Sequence, residues 1–488
     1  MKLKSLSISL SFVLLFSLAS AADSTAPKPV NSTQLAAWLA GGISSSRLVR
    51  LIHERGIVRP INKAELAELE SAGADANLIQ VLDTHKTPSV TGASTIPSTV
   101  IKAAAAARQQ RYHEAELQLR EAIAADPENA ALHFALGAMF CQQDSWDDAF
   151  DEITQSARLM PDLPENHISL AHIFYRMDDA QNAIAEARTA LSMDPQNAEA
   201  YQFLGLGLYA NGQYAPAVHA FTESLNRDRE NADTFYDMGI ALHATGNLPA
   251  AVAAYSRAIR LRPAFWEAHA NLGLILHQEG KLAEAVAEYR EAKRIAPDEA
   301  SLRNNLGNTY CDQGEFDAAI EELRELYREH PEWQQGHGCL ASAYMAKKNY
   351  GGAVAELELA LRQNPTGSTE HRILGQALLL DNRPEDALRE LRLAVTLNPD
   401  SDLAHHALGT ALFQQQQLQA AEKEFREAVR LRSSADNHYS LAACLMTMDR
   451  YDEALAELDL ASRLDPQQPL YRARREELLK LIKETNTR

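Results

Sequence analysis

The chain has 488 residues, of which 46% are hydrophobic and 23% charged, and it contains four cysteines. This composition excludes a disordered chain, a collagen-like fibre and a small disulfide-stapled scaffold. Its 47 Lys and Arg residues against 66 Asp and Glu residues give a formal charge of −19, which argues against binding to nucleic acid or to an anionic membrane surface. We therefore expect a protein or peptide partner that is neutral or basic.

Residues 1–21 carry the three-part pattern of a secretory signal peptide. Lys2 and Lys4 begin it, Leu6 to Leu18 form an apolar stretch, and small residues end it at Ala21. The alternative is a buried N-terminal helix. No later run has the length of about 20 apolar residues that a membrane span needs. The sequence thus predicts an exported protein, periplasmic or secreted, cleaved after Ala21, without a transmembrane segment in its mature form and with a charge of −21 once the two lysines are removed.

The four cysteines are Cys141, Cys311, Cys339 and Cys444. An exported protein can form disulfides, but the spacing favours none of the three possible pairings. Because each cysteine lies in an apolar helical stretch, we expect four small buried thiols.

Composition divides the mature chain into a linker (22–32), a small helical module (33–86), a second linker (87–95), a long array (96–468) and a terminal segment (469–488). In the module, Asn62 and Asp75 are candidate N-caps, and Gly56 and Gly73 are candidate residues for closing helices. These signals predict about four short helices. The arginines of the module are balanced by glutamates, so a DNA-binding helix pair is not expected.

A period of 34 residues governs the array. Alanine recurs without exception in eleven units, at 115, 149, 183, 217, 251, 285, 319, 353, 387, 421 and 454. Prolines end most units, and a second small-residue position holds Gly137, Gly205, Gly239, Gly273, Gly307, Gly375 and Gly409. Small residues at fixed positions indicate two helices in close contact in each unit. Gly212, Gly246, Gly280 and Gly314, replaced elsewhere by Asp144, Asp178, Asn382 and Asp449, occupy the place where a left-handed residue would end the first helix.

This spacing resembles the tetratricopeptide repeat, whose pattern is W-x2-L-G-x2-Y, then A-x3-F and P, over 34 residues. The resemblance covers residues 96–468 in about eleven copies. It implies an all-α fold, a right-handed α-solenoid of helix-turn-helix repeats, with the amphipathic helix near 469–485 covering its apolar end. It also implies a scaffold for protein–protein interaction.

No phosphate-binding loop, zinc-protease, serine-hydrolase or C-x-x-C motif is present in the sequence. We therefore expect neither an enzyme nor a bound cofactor. The rival hypothesis is an accessory subunit of an envelope enzyme or export complex, with its chemistry in residues 33–86 or in a column of histidines.

That column occupies the first aromatic position of the repeat. It contains His133, His167, His269, His337, His371, His405 and His438, and is completed by Tyr201, Phe235 and Arg303. A metal- or pH-responsive column is one interpretation. The other, which we favour, is packing by a flat ring, because helices about 8–10 Å apart hold consecutive histidines too far apart to share a zinc ion.

The resemblance also implies a groove lined by first-helix side chains. Mapped through the repeat register, its partner-binding candidates are Tyr209, Tyr236, Asp237, Asn271, His277, Asn304, Asn305 and Asn308. Asn271 and Asn305 are equivalent, and an amide suits a peptide backbone because it both donates and accepts hydrogen bonds. The alternative is a polar surface that is simply solvated. We predict a scaffold of the bacterial envelope that holds a partner's peptide or helix in this groove, while its partner, pathway and oligomeric state stay open.

Overall fold

The computed structural model describes residues 28–84 and 94–486, and the predicted signal peptide lies outside them. The described residues form 27 α-helices and one isolated parallel bridge between Val30 and Ile57. The prediction of an all-α solenoid is confirmed. The chain divides into two compact units, the first extending to Glu230 with Ile240–Thr245 added, the second containing Asn231–Gly239 and everything from Gly246 onward.

In the first unit, the four module helices are α1 (Ser32–Ala40), α2 (Ser45–Arg55), α3 (Lys63–Ala72) and α4 (Ala76–Thr84). The predicted helix-ending signals are confirmed: Gly56 and Gly73 have φ of 75° and 113°, and the side chains of Asn62 and Asp75 accept from the amides of Glu65 and Leu78. The sequence therefore specifies the ends of these short helices locally.

The repeats of the first unit follow as antiparallel helix pairs. Their helices are α5 (Ser98–Arg108), α6 (Tyr112–Ala125), α7 (Ala130–Gln142), α8 (Trp146–Leu159), α9 (Pro164–Arg176), α10 (Ala180–Met193), α11 (Ala198–Ala210) and α12 (Tyr214–Arg227). Helix α13 (Ala232–Ala244) contributes residues to both units.

The second unit continues the same alternation. Its helices are α14 (Leu248–Leu261), α15 (Trp266–Gln278), α16 (Leu282–Ile295), α17 (Ala300–Gln313), α18 (Phe316–Glu329), α19 (His337–Ala346), α20 (Tyr350–Gln363), α21 (Ser368–Leu380), α22 (Pro384–Leu397), α23 (Asp402–Gln414), α24 (Leu418–Leu431), α25 (Ala435–Thr447), α26 (Tyr451–Leu464) and α27 (Pro469–Asn486).

Small side chains hold the two helices of each repeat together. All eleven alanines of the 34-residue series have an exposed fraction of 0%. A Cβ atom added to Gly409 would lie 2.8 Å from the ring of Phe425 on the second helix of the same repeat, and one added to Gly205 would lie 2.5 Å from Phe221. Both distances are shorter than van der Waals contact, so these positions require glycine.

The predicted left-handed residues are also confirmed at the end of the first helices. Gly212, Gly246, Gly280 and Gly314 have φ between 73° and 78°. Asp144, Asp178, Asn382 and Asp449 take the same conformation with φ between 56° and 59°. Asn and Asp tolerate this region better than most side chains, which explains the substitution.

Helix α27 covers the apolar end of the second unit. Leu478 is fully buried in a cluster with Leu458, and the Tyr471 hydroxyl donates to the carboxylate of Asp436 at 2.5 Å. Burial and this carboxylate raise the pKa of Tyr471 to about 12. The hydrogen bond thus persists throughout the neutral pH range.

We predict that Gly409→Ala lowers the free energy of unfolding by about 1–3 kcal/mol, because the added methyl group overpacks the contact with Phe425. Gly338→Ala is the matched control: Gly338 lies within α19, and a Cβ there would have no neighbour within 4 Å. That variant should gain roughly 0.5–1 kcal/mol from helix propensity. Denaturant titration measures both, and equal effects of the two substitutions would contradict the packing argument.

Candidate functional site

The predicted partner-binding residues are divided between the two units. Tyr209 lies in the first unit, half-buried, with its ring centroid 5.3 Å from that of Tyr214. The remaining seven lie in the second unit on α13, α15 and α17. Only these seven can therefore be described as one surface, which we call the amide surface.

The amide surface has Asp237, Asn271 and Asn305 at equivalent positions of three successive repeats, and all three are half-buried. The Nδ2 of Asn271 donates to the hydroxyl of Tyr236 at 3.3 Å, and the Tyr236 ring packs against Phe265 with centroids 4.8 Å apart. These contacts fix the orientation of one amide before any partner binds.

The other polar groups of the amide surface differ in accessibility. Asn305 and Asn308 are half-buried, and no side-chain hydrogen bond joins either to another described residue. His277 Nε2 lies 2.7 Å from a carboxylate oxygen of Asp312 on the next repeat. Asn304 differs from the prediction, because it is only 6% exposed and its Oδ1 is buried without a hydrogen-bond partner. Its side chain does not present an amide to a partner.

A disulfide bond closes one end of the amide surface and corrects the prediction of four thiols. Cys311 on α17 and Cys339 on α19 are joined, with a Cα–Cα distance of 6.2 Å and 28 residues between them in sequence. Cys339 occupies the repeat position that holds Asn271 and Asn305 two and one repeats earlier. The spacing alone did not show the pair, because the contact joins first helices of neighbouring repeats at different heights.

Cys141 and Cys444 are free cysteines, as predicted. Burial raises the pKa of the Cys141 thiol to about 11 and also raises that of Cys444. Both are therefore protonated and weakly nucleophilic at neutral pH.

The histidine column forms hydrogen-bonded pairs within each repeat, which the packing interpretation omitted. In every one of the seven, Nδ1 lies 2.5–2.7 Å from a carboxylate oxygen of the glutamate 19 residues later on the second helix. The pairs are His133–Glu152, His167–Glu186, His269–Glu288, His337–Glu356, His371–Glu390, His405–Glu424 and His438–Glu457. Each pair thus connects the two helices of one repeat.

In four of these pairs the other ring nitrogen faces a second acceptor. Nε2 lies 3.0–3.3 Å from the carbonyl oxygen of the proline six residues earlier, in the pairs of His133, His269, His371 and His405. A carboxylate and a carbonyl both accept hydrogen bonds, so the ring satisfies both only when both nitrogens carry hydrogen. The geometry therefore favours the imidazolium cation.

Electrostatics agree for two of the rings. The hydrogen bond to Glu152 raises the pKa of His133 against the opposing effect of burial, and the hydrogen bond to Glu288 does the same for His269. Carbonyl acceptors and the nearby charges of Glu128 and Glu291 act in the same direction.

The other members of the column show that the two positions change together. Arg303, which replaces histidine in one repeat, pairs with Glu322 at 3.4 Å, again 19 residues later. Where the column holds Tyr201 or Phe235, the position 19 residues later holds Ala220 or Ala254. A cation is thus always matched by a carboxylate, and an uncharged ring by a methyl group. This joint change was visible in the sequence as a second 34-residue series.

Among the described residues, no group of three or more His, Cys, Asp and Glu side chains is placed to hold a metal ion. The glutamate partners account for the Nδ1 atoms of the column. In the described part of the chain, no helix is both long and apolar enough to cross a membrane.

The helix pairs, with their small-residue contacts and left-handed turns, define a repeat protein of the α-solenoid class. Models of the tetratricopeptide repeat match residues 102–164, 168–233, 204–263, 236–300, 276–342, 340–402 and 406–469. The chain therefore belongs to the tetratricopeptide repeat family. A search of curated proteins finds no match.

Solved structures similar to this chain include three that differ in length. YrrB, described as a tetratricopeptide repeat protein with an unusual peptide-binding site, is 26% identical, with 40% of this chain and 97% of YrrB covered and a TM-score of 0.34. PilF of Pseudomonas aeruginosa is 19% identical, with 42% and 94% covered and a TM-score of 0.39. Yeast Tom70 is 15% identical, with 80% and 95% covered and a TM-score of 0.33.

We predict that the histidine–glutamate pairs make the melting temperature fall as pH rises from about 6 to 9. A histidine whose pKa is raised in the folded state contributes stability that is complete below its unfolded pKa of about 6.5 and lost as pH rises through the folded pKa. Replacing His133 and His269 with Phe, and Glu152 and Glu288 with Ala, copies the Phe235–Ala254 pair and should flatten this slope.

The matched control is His113→Phe with Glu116→Ala, since His113 has a 79% exposed side chain and lies 3.6 Å from its carboxylate. It should leave the slope unchanged. Thermal melts across the pH range measure both variants, and a slope that survives in the fourfold variant refutes the proposed ionisation.

We also predict two reactive thiols per chain in denaturant without reductant and four after reduction, because Cys311 and Cys339 are joined. Converting both to Ser should lower the free energy of unfolding by about 2–4 kcal/mol. A colorimetric thiol titration checks the count, and four thiols without reductant would exclude the bond.

Proposed function

We propose that this chain is an exported scaffold of the bacterial envelope that holds an extended segment or helix of a partner protein against the amide surface. The observation that carries the proposal is the pair Asn305 and Asn308, half-buried amides without side-chain hydrogen bonds to other described residues. A peptide backbone supplies both the donors and the acceptors that such amides lack.

The surroundings of these amides favour a defined binding geometry. Tyr236 is held by Phe265 and by Asn271, and the disulfide between Cys311 and Cys339 ties α17 to α19 beside Asn305 and Asn308. A surface whose neighbours are already ordered loses less conformational entropy on binding. Asn304, being buried, is left out of the proposed contacts, and Tyr209 is proposed as a separate contact in the first unit.

Two features support export. The first 21 residues have the composition of a signal peptide, and the disulfide belongs in an oxidising compartment. The formal charge of −19 favours a partner that is basic or neutral near its contact region.

We predict that Asn271→Ala with Asn305→Ala weakens partner binding about 10-fold or more, since each lost hydrogen bond costs about 0.5–1.5 kcal/mol and leaves a partner group unpaired. The partner is first captured with the wild-type chain from an envelope extract, identified, and titrated as a purified protein. The matched control is Gln363→Ala with Gln419→Ala, which removes two exposed amides from second helices of the same unit.

The control should bind as the wild type does. If the asparagine variant keeps full affinity while melting at the wild-type temperature, the amide surface is not the binding surface. Capture of the same partner from an extract of cytosolic proteins alone would contradict the envelope location.

A further inference from the structure

Two arginines of α2 are buried against acidic residues of the repeats in the first unit. Arg47 Nε donates to a carboxylate oxygen of Glu165, and its Nη1 lies 3.8 Å from the carboxylate of Asp194. Arg55 donates Nη2 to the carbonyl of Asp162 at 2.8 Å and ion-pairs with its carboxylate at 3.0 Å. The two arginine side chains are 8% and 4% exposed. A buried cation without such partners would be strongly unfavourable, so these contacts specify where α2 lies.

The neighbouring helix α1 comes into direct contact with the first helices of the repeats. A Cβ on Gly41, the residue after α1, would lie 2.9 Å from the Phe134 ring and 3.1 Å from the Ala135 backbone. Trp38 is fully buried in a hydrophobic core shared by α1 and these repeats. The module therefore packs on the first helices at backbone distance.

The contacted residues have the character of a ligand-binding surface of a repeat array. A cavity of about 620 Å³ remains beside α2, and the first helices line it with Phe134, Ala138, Ile168 and His172. The His172 ring lies between Trp146 and Phe203, with centroids 5.4 and 4.9 Å away. Burial lowers the pKa of His172 to about 4, so this aromatic row is uncharged at neutral pH.

The extent of the contact separates a ligand from an end cap. A capping helix covers the terminal repeat, as α27 does by packing on α26. The module contacts α5 and α7, which belong to two repeats, and through Arg47 it reaches Glu165 and Asp194 in the third. A cap has no need to span three repeats.

We infer that the first-helix surface of the first three repeats is a binding surface for a helix that presents arginines to Asp162, Glu165 and Asp194, and that α2 of this chain is its resident ligand. The bound module closes this surface to outside partners. A partner helix with arginines two turns apart, as Arg47 and Arg55 are, competes for it. This inference does not depend on the amide surface, which lies in the other unit.

The test uses the full chain with Arg47→Glu and Arg55→Glu, which should release α2 by placing acid against acid. Hydrogen exchange in α7 and α9 should accelerate at least about 10-fold in this variant. The matched control is Lys28→Glu with Lys63→Glu, two exposed lysines of the same module, and it should exchange as the wild type does. Adding Asp162→Arg and Glu165→Arg to the released variant should restore protection, which shows that the released chain can fold.

A labelled peptide of residues 43–58 then probes the surface by fluorescence anisotropy. It should bind the released variant at least about 10-fold more tightly than the wild type, and a peptide with both arginines changed to Glu should not bind. Unchanged exchange in the released variant, failure of the reversed pairs to restore protection, or no peptide binding up to about 1 mM would each overturn the inference. Light scattering completes the test, because a dimer of the wild type that the arginine changes dissolve would make a second copy the occupant.

Discussion

Close contact between the two helices of each repeat is the constraint on which the rest of the structure depends. It is possible only where side chains are absent or very small, which is why Ala285 is fully buried and why Gly409 has no room for a Cβ beside Phe425. Once the helices lie this close, their neighbouring side chains are brought into fixed register. A histidine on the first helix then meets the residue 19 positions later on the second, whatever the rest of the repeat contains.

This register explains why charge in the array is paired rather than merely abundant. At the half-buried position of the column a cation is stable only with a carboxylate beside it, and the repeat with Arg303 keeps Glu322 although the ring is gone. Where an aromatic ring replaces the cation, a carboxylate would be desolvated without a partner, and Ala220 and Ala254 stand there instead. Seven of the 66 acidic residues are therefore structural partners of the histidines and are not available to attract a basic ligand.

The fold could be predicted from the sequence because its determinants repeat. Positions such as Gly212 and Asp144 are recognisable from local turn chemistry and recur every 34 residues, so eleven copies support one another. The candidate site was harder, because its properties depend on contacts that do not follow the period. Asn304 is buried by an irregular segment before α19, where Gly336 would place a Cβ 2.9 Å from the Asn304 Oδ1. Cys311 and Cys339 meet for the same reason: different repeat positions on neighbouring first helices come together only in three dimensions.

The module carries this argument one step further. Its arginines appeared balanced when counted within residues 33–86, yet Arg47 and Arg55 find carboxylates more than 100 residues away as well as within the module. Net charge within a segment therefore does not show which charges are satisfied there. A negatively charged array selects the positive face of whatever helix lies against it, and in the first unit that helix is covalently attached. Because attachment makes the encounter intramolecular, even a modest contact stays occupied, and an outside helix must exceed the effective concentration of the attached one to replace it.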